Sequence, residues 1–437
     1  MLFTFRPESP LPGGVALHNR SMTTADTSRD LFTQVLDPSN RIDPYPMYRR
    51  LREHGPLRLP EANVTVFSSY RECDEALRHP LSSSDRNTSA LAQKQIAAGE
   101  QPRPFGLAAL VDRRRTPAFL FLDPPDHTRL RKLVSKAFVP KVINQLAPDI
   151  AALVDGLLDG IEANGHFDAV TELAYPLAVA VICRLLGVPL EDEPQFGRAS
   201  SMVGQSLDPF LSLNGETQEG YRERIEAGRW LRNYFRELIE MRRGHPSDDL
   251  ISAMIAVEES GDQLSSEEII STCNLLLIAG HESTVSLIAT AILAMLRDPA
   301  QWTALGTNPR RAAKVVEESL RYDAPAQLLG RVAAEDITVG DSAVAKGDTM
   351  VLVLGAAHRD PAANERPDEF DPDRKSLRHL GFGHGPHFCL GAPLLRLEAN
   401  AVLSGVTARF PHARLAAEPT YKPNITLRGM SALPVAI

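Results

Sequence analysis

From Ser265 to Arg297 the chain runs without a proline, and no other segment limits the possible folds as strongly. Ser265-Ser266-Glu267-Glu268 has the pattern of a capping box, which opens a helix by satisfying its first free N–H groups. A helix of about 30 residues rises ~45 Å, the width of a whole domain. Such an element must be the axis around which the remainder packs. Its longest apolar stretch, Leu275 to Ala279, is stopped by His281 and Glu282, which argues against a bilayer span. Glu282, Ser283 and Thr284 lie mid-helix, where a carboxylate and two hydroxyls are costly to bury unless paired or used. Ala279 and Gly280 just before them leave room beside the helix.

The surrounding chain reads as mainly α with small β-sheets. Apolar positions at i, i+3, i+4 predict helices over His127 to Phe138, Ile143 to Asn164, Val170 to Leu186 and Tyr221 to Arg243. Asp43 to Arg52 opens the folded part with a turn and a short helix, and Leu57 to Phe67 reads as a hairpin. A helix follows from Ser69 to Leu77. Residues 80–120 and 190–225 read as irregular. Asn308-Pro309 starts a helix that ends near Tyr322. Ile337 to Val353 alternates like strands, residues 363–378 lack periodicity, and the last twenty residues look like short strands. With no repeat or linker, a single large domain over residues 28–437 is expected, preceded by a flexible arm over residues 1–27. That arm has no apolar run suited to a signal peptide or anchor, so a cytoplasmic protein is expected. A net charge of −8 speaks against nucleic acid as a partner.

The four cysteines, Cys73, Cys183, Cys273 and Cys389, are widely spaced and must be explained singly. Cys389 follows a glycine-rich turn, Gly381-Phe-Gly-His-Gly-Pro-His-Phe-Cys389, and precedes a helix starting near Pro393 that should bury Leu394, Leu397, Ala401 and Leu403. A helix N-terminus stabilises a thiolate through its free N–H groups and partial positive charge. Gly385 permits a tight turn before the sulfur, and Gly391 removes a side chain where a flat ligand would lie. An isolated cysteine in such a turn is more often structural.

Phe382, Gly385, His387, Cys389 and Gly391 together resemble the haem-ligand loop of the cytochrome P450 family, F-x-x-G-x-[HR]-x-C-x-G, in its soluble bacterial branch. The resemblance covers the chain from about Asp43 onward. It implies that family's fold, with haem b buried between the long helix and the Cys-loop helix and Cys389 as the axial thiolate on iron. Ala279 to Thr284 is similar to the family's A-G-x-[DE]-T-[ST], in which an acid and an alcohol deliver protons through water to dioxygen. Glu282 would be the acid and Ser283 the alcohol. Serine departs from the usual threonine there and lacks the methyl that restricts the rotamer, so Thr284 is a candidate to share the task. A serine hydroxyl can also simply bond back to the carbonyl four residues earlier.

Glu318 and Arg321, an i, i+3 pair that would be weak on a surface, match the family's buried E-x-x-R brace, with Arg374 or His379 as a third partner. His127, Arg131, Arg331 and His387 would receive the haem propionates. His281, His384 and His358 are left structural or solvated. The resemblance places the pocket roof in residues 85–120 and 190–225, and the walls near Leu276, Ala279 and Ala326 to Leu329, which suits a hydrophobic substrate. Without a flavin or nicotinamide fingerprint, electrons would come from a ferredoxin and its reductase. Arg129, Lys132 and Lys136, at i, i+3, i+7, form a candidate docking strip on a chain expected to be monomeric. The implied activity is insertion of one oxygen atom from O2 into a substrate. The alternatives are a peroxide-using haem-thiolate enzyme and a non-catalytic haem sensor.

Overall fold

In a computed structural model, residues 24–98, 117–204, 218–256, 258–259 and 262–437 are described. Helix α1 (Thr24–Leu36) comes first and packs on α2 (Tyr45–His54) and strand β1 (Leu57–Leu59). The folded part therefore starts before Asp43, and the last residues of the expected arm are helical. Strand β2 (Val64–Phe67) pairs antiparallel with β1, as the alternation predicts. Helix α3 (Tyr70–Arg78) follows its N-cap Ser69. Within the segment expected to be irregular lie β3 (Ser82–Ser83) and α4 (Ala90–Ala97), while residues 99–116 fall outside the description.

Helices α5 (Asp126–Ser135), α6 (Pro140–Gln145) and α7 (Ala147–Glu162) lead to β4 (His166–Asp168). One continuous helix was expected from Val170; instead a π-helical stretch over Ala169–Ala174 passes into α8 (Tyr175–Leu186). A further helix, α9 (Glu193–Gly204), occupies part of the second segment expected to be irregular; residues 205–217 lie outside the description. Then come α10 (Gln218–Gly244), α11 (Leu250–Ala256), the short strands β5 (Glu258–Glu259) and β6 (Asp262–Gln263), and the long helix α12 (Ser266–Leu296).

Helix α12 has the expected capping box: the Ser265 hydroxyl accepts from the Glu268 N–H at 3.3 Å, and the Ser265 N–H donates to Glu268 Oε2 at 2.8 Å. Its side chains are buried nearly all the way round, the mark of a core helix. It packs on α8, α9, α10 and the helices that follow. These are α13 (Pro299–Thr307), which the sequence reading passed over, α14 (Ala312–Tyr322) and, after α15 (Leu354–His358), α16 (Ala392–Arg409). Two stretches, Ala169–Leu186 and Ser266–Leu296, are long and apolar enough to cross a membrane, and both are largely buried inside the fold.

The larger sheet contains β7 (Leu328–Ala333) and β10 (Thr349–Val353), between which lies the hairpin β8 (Ile337–Val339) and β9 (Ser342–Val344). Its order is β1-β2-β10-β7-β3; β10 runs parallel to β2 and antiparallel to β7. The sequence reading missed β7, because a central strand lacks the alternation of a half-exposed one. The chain ends in β11 (Arg414–Leu415), β12 (Thr420–Tyr421), β13 (Met430–Ala432) and β14 (Pro434–Ala436). Strand β14 lies between β11 and β4.

Candidate active site

The Cys389 loop is shaped by two glycines with left-handed backbone, Gly383 at φ 66° and Gly385 at φ 69°. A Cβ on Gly385 would lie 2.7 Å from the Leu77 carbonyl oxygen, so a larger residue would push the loop off α3. The Cys389 N–H donates to the Phe382 carbonyl at 2.8 Å and closes the loop. Helix α16 begins at Ala392 with no side-chain cap, which leaves its first N–H groups for other acceptors. Burial pushes the Cys389 thiol up, while the N–H groups of Gly391 and Ala392 and the Arg131 charge pull it back. Cys73, Cys183 and Cys273 are buried, and burial pushes Cys183 up to about 12. The buried face of α16 differs from the expected one. Leu394 and Leu403 are buried, but Leu397 and Ala401 are half-buried, and Leu395, Ala399 and Val402 take their place.

Cys389 lines a cavity of about 360 Å³ between α12 and the start of α16. Leu276, Ala279, Gly280, Ser283 and Thr284 face it from α12, with Ala326, Leu328 and Leu329 on another wall. Arg86, Leu91 and Phe119 close it from the expected roof, with Phe121 just beyond that segment. Among the described residues of α9 none lines it; that helix meets the flank of α12 instead. Nothing stands within 4 Å of where a Gly391 Cβ would be, so this position keeps the cavity floor clear beside the sulfur.

The fold gathers His127, Arg131, Arg331 and His387 at one side of the cavity. The His127 and His387 rings lie 4.1 Å apart. Both ring nitrogens of His127 and Nδ1 of His387 are buried without a hydrogen-bond partner. Burial, then Arg331, His127 and Arg131, push His387 down to about 3; burial, then Arg131, lowers His127. Burial and the neighbouring Arg86 bring Arg331 down to about 10. Arg131 also donates to the Phe388 carbonyl. Buried donors and cations crowded in this way suit an anionic ligand with several acceptor oxygens. The residues present thus fit a haem: a sulfur lining the cavity beside the open space at Gly391, and two arginines with unpartnered imidazole nitrogens at one edge for two carboxylates.

The hydroxyls of Ser283 and Thr284 both donate back into α12, to Ala279 O at 2.6 Å and Gly280 O at 2.7 Å. Both line the cavity, so geometry does not separate their roles. Glu282 points along the flank, where Oε2 accepts from Lys422 Nζ at 2.7 Å and Oε1 from the Ser201 hydroxyl at 3.2 Å. Burial pushes this carboxyl up, but His281 and Lys422 outweigh it and hold it at about 2.

Glu318 and Arg321 are fully buried and joined by two hydrogen bonds of 2.8 and 2.7 Å, with Arg374 as the third partner at 3.2 Å. His379 instead meets Glu317 at 3.0 Å. His281 is buried against Leu277 O, the His358 imidazole accepts from the Leu380 N–H, and His384 pairs with Asp74 at 2.6 Å. The expected basic strip is shorter than predicted. Arg129 pairs with Glu268, and Lys136 lies in the 3₁₀ turn beyond α5, which leaves Lys132 and Lys136 exposed.

Three relevant residues escaped the sequence reading. Arg86 reaches the cavity from a segment without periodicity, where no signal marks it. Lys422 is one surface-type lysine in a hairpin. Glu398 was legible as a single acid on the apolar face of α16; it is buried at the cavity, its Oε2 lacks a partner, and burial raises its carboxyl well above the usual range.

Glu317 ties α14 to the Cys loop and to α16 through His379 and through Arg396 at 2.6 Å. Burial pushes Glu317 up, but these partners outweigh it and hold it at about 2. A carboxyl depressed below its unfolded value of ~4.3 stabilises the fold above that value and loses the contribution as pH falls toward the folded one. The melting-temperature deficit of Glu317→Gln is therefore expected to be present at neutral pH and to shrink below about pH 4. A deficit independent of pH would refute this.

Comparison with known proteins agrees with the geometry. The cytochrome P450 family model matches residues 81–306 and 312–430. The chain is 37% identical over 423 residues to vitamin D(3) 25-hydroxylase of Pseudonocardia autotrophica, covering 95% of this chain and 98% of that protein. It is 36% identical over 408 residues to 6-deoxyerythronolide B hydroxylase of Saccharopolyspora erythraea, covering 91% and 97%. The ligand-free crystal structure of Mycobacterium smegmatis CYP164A2 superposes with a TM-score of 0.85 at 58% identity, covering 94% of this chain and all of that one. An econazole-bound structure of CYP164A2 matches with the same TM-score. With a sulfur at the mouth of α16, a cavity against α12 and this whole-length similarity, the chain belongs to the cytochrome P450 family of oxidoreductases.

Proposed function

We propose that the chain is a haem-thiolate monooxygenase that holds haem b through Cys389 and inserts one oxygen atom from O2 into a hydrophobic molecule. The observation that carries this reading is the Cys389 sulfur lining the same cavity as Ala279, Gly280, Ser283 and Thr284 of α12. His127, Arg131, Arg331 and His387 would hold the propionates, and the unpartnered ring nitrogens of His127 and His387 support that assignment. Bound there, the haem would supply oxygen activation, with the thiolate favouring O–O cleavage. Glu282 would pass protons from solvent, and Ser283 or Thr284 would present them inside the cavity. The largely aliphatic walls exclude water and orient an apolar substrate. Electrons would arrive from a ferredoxin and its reductase; exposed Lys132 and Lys136 support docking of an acidic partner. A cytoplasmic monomer completes the reading, its catalytic domain being residues 28–437 together with the first turn of α1; the burial of both long apolar stretches supports a chain that does not cross a membrane.

The test is optical. Reduced protein under carbon monoxide is expected to show the strongly red-shifted Soret band of thiolate-ligated haem, and an unshifted band would refute the assignment. Econazole, bound in the CYP164A2 structure, is expected to perturb the ferric spectrum at a stoichiometry of one. No spectral change at saturating azole would count against an open site over Cys389.

A further inference from the structure

The face that α12 turns to the cavity carries Ala279, Gly280, Ser283 and Thr284, while the Glu282 side chain lies on its flank. There it meets groups from three other elements. Lys422 Nζ, at 2.7 Å, comes from the hairpin that joins β12 to β13. Ser201, at 3.2 Å, comes from α9, and a Cβ on Gly204 of the same helix would stand 3.3 Å from Glu282 Cγ. Tyr175 comes from α8, where burial and the Glu282 charge push its hydroxyl up to about 12. On α12 itself, His281 Nε2 is 3.4 Å from Oε1, at ion-pair range but beyond a good hydrogen bond.

The hairpin that carries Lys422 is fixed against α12. The Lys422 N–H donates to Gly429 O at 2.9 Å, and a Cβ on Gly429 would collide with Ser286 Oγ at 2.3 Å. Lys422 is thus delivered to Glu282 by a closely docked element rather than by a loose surface side chain. Its side chain keeps 29% exposure against 13% for Glu282, so the pair sits where buried chain meets water.

We propose that Lys422 is a positioning residue that parks the Glu282 carboxylate against the C-terminal hairpin, so that proton delivery into the cavity requires this ion pair to open. The proposal rests on the reading of Glu282 as the proton-delivering acid. While paired, the carboxylate is aimed away from Ser283 and Thr284 and has little affinity for a proton. When the pair opens, Glu282 takes a proton from solvent, swings toward the cavity face, gives the proton to the hydroxyl relay and returns as carboxylate to Lys422. No bond other than those to the proton changes. The hydrogen bond from Ser201 makes α9 a second holder, so displacement of that helix would loosen the same carboxylate.

The test compares holoenzyme carrying Lys422→Met, Lys422→Arg and Glu282→Gln, each first checked for a normal carbon monoxide band and melting temperature. Infrared titration, with Glu282→Gln as the difference reference, reads the carboxyl directly. In Lys422→Met its protonation is expected about one to three pH units higher than in wild type, the size of shift that loss of an adjacent opposite charge produces. The pH profile of product formed per NAD(P)H consumed is expected to move in the same direction, and Lys422→Arg to restore both. The proposal is overturned if Lys422→Met titrates like wild type, or if its product profile is unmoved while Glu282→Gln changes that profile. If Glu282→Gln leaves the profile unmoved, the acid reading fails and the proposal falls with it. If Lys422→Met does not fold, Lys422→Arg decides: a profile unlike wild type despite a retained cation overturns the parking role.

Discussion

Arg321→Met is expected to cost about 3–5 kcal/mol of folding stability, the usual result of removing one partner from a buried ion pair. The reason lies in the number of groups that depend on this guanidinium. Besides Glu318, it serves the carbonyls of Pro367 at 2.6 Å and Glu369 at 2.8 Å, in a segment with no helix or strand to satisfy its own backbone. Glu318 in turn accepts from the Asp371 N–H at 2.8 Å and from Arg374. The double replacement Glu318→Leu with Arg321→Met removes the stranded charge, yet leaves the Pro367 carbonyl, the Asp371 N–H and the Arg374 Nε–H without their partners. It is therefore expected to remain clearly destabilised, unlike simple buried pairs that tolerate an apolar swap. Urea unfolding of the three proteins checks this, and a double variant as stable as wild type would show that the brace is an isolated pair.

Cys389→Ser is expected to abolish the red-shifted carbon monoxide band and bring monooxygenase turnover below detection, while circular dichroism stays close to wild type. The fold does not need the sulfur for packing: Cys389 is half-buried, and the loop is closed by its backbone N–H rather than its side chain. A serine hydroxyl fits the same space but is neither a soft ligand nor readily ionised. Replacing Cys183, which burial holds as a neutral thiol, is expected to leave the band untouched. A band that survived in Cys389→Ser would move the ligand elsewhere and undo the functional assignment.

Much of this architecture is legible in the amino-acid sequence. The long helix announced itself through its capping box and the absence of proline, and the Cys loop through glycines at the two places where the backbone is left-handed. Legibility failed where structure depends on distant partners. Strand β7 has no alternation because both its faces are buried or half-buried, and α9 and α13 are held by packing on α12 and α16 rather than by periodicity. Arg86 and Lys422 matter through what they face, which one-dimensional spacing does not encode. The rotated face of α16 shows the same limit: apolar positions one residue apart compete, and the partner helix chooses between them.

The parallel pairing of β2 with β10 has a cost during synthesis. Val64 meets Thr349, about 285 residues later in the chain. At a translation rate of about 5–20 residues per second, on the order of 15–60 seconds separates emergence of the two strands from the ribosome. Through that interval β2 has β1 as a neighbour on one side and an uncovered edge on the other, the form in which strands recruit foreign chains. Nascent-chain yield, more than stability of the finished protein, should therefore respond to chaperones that shield the first seventy residues.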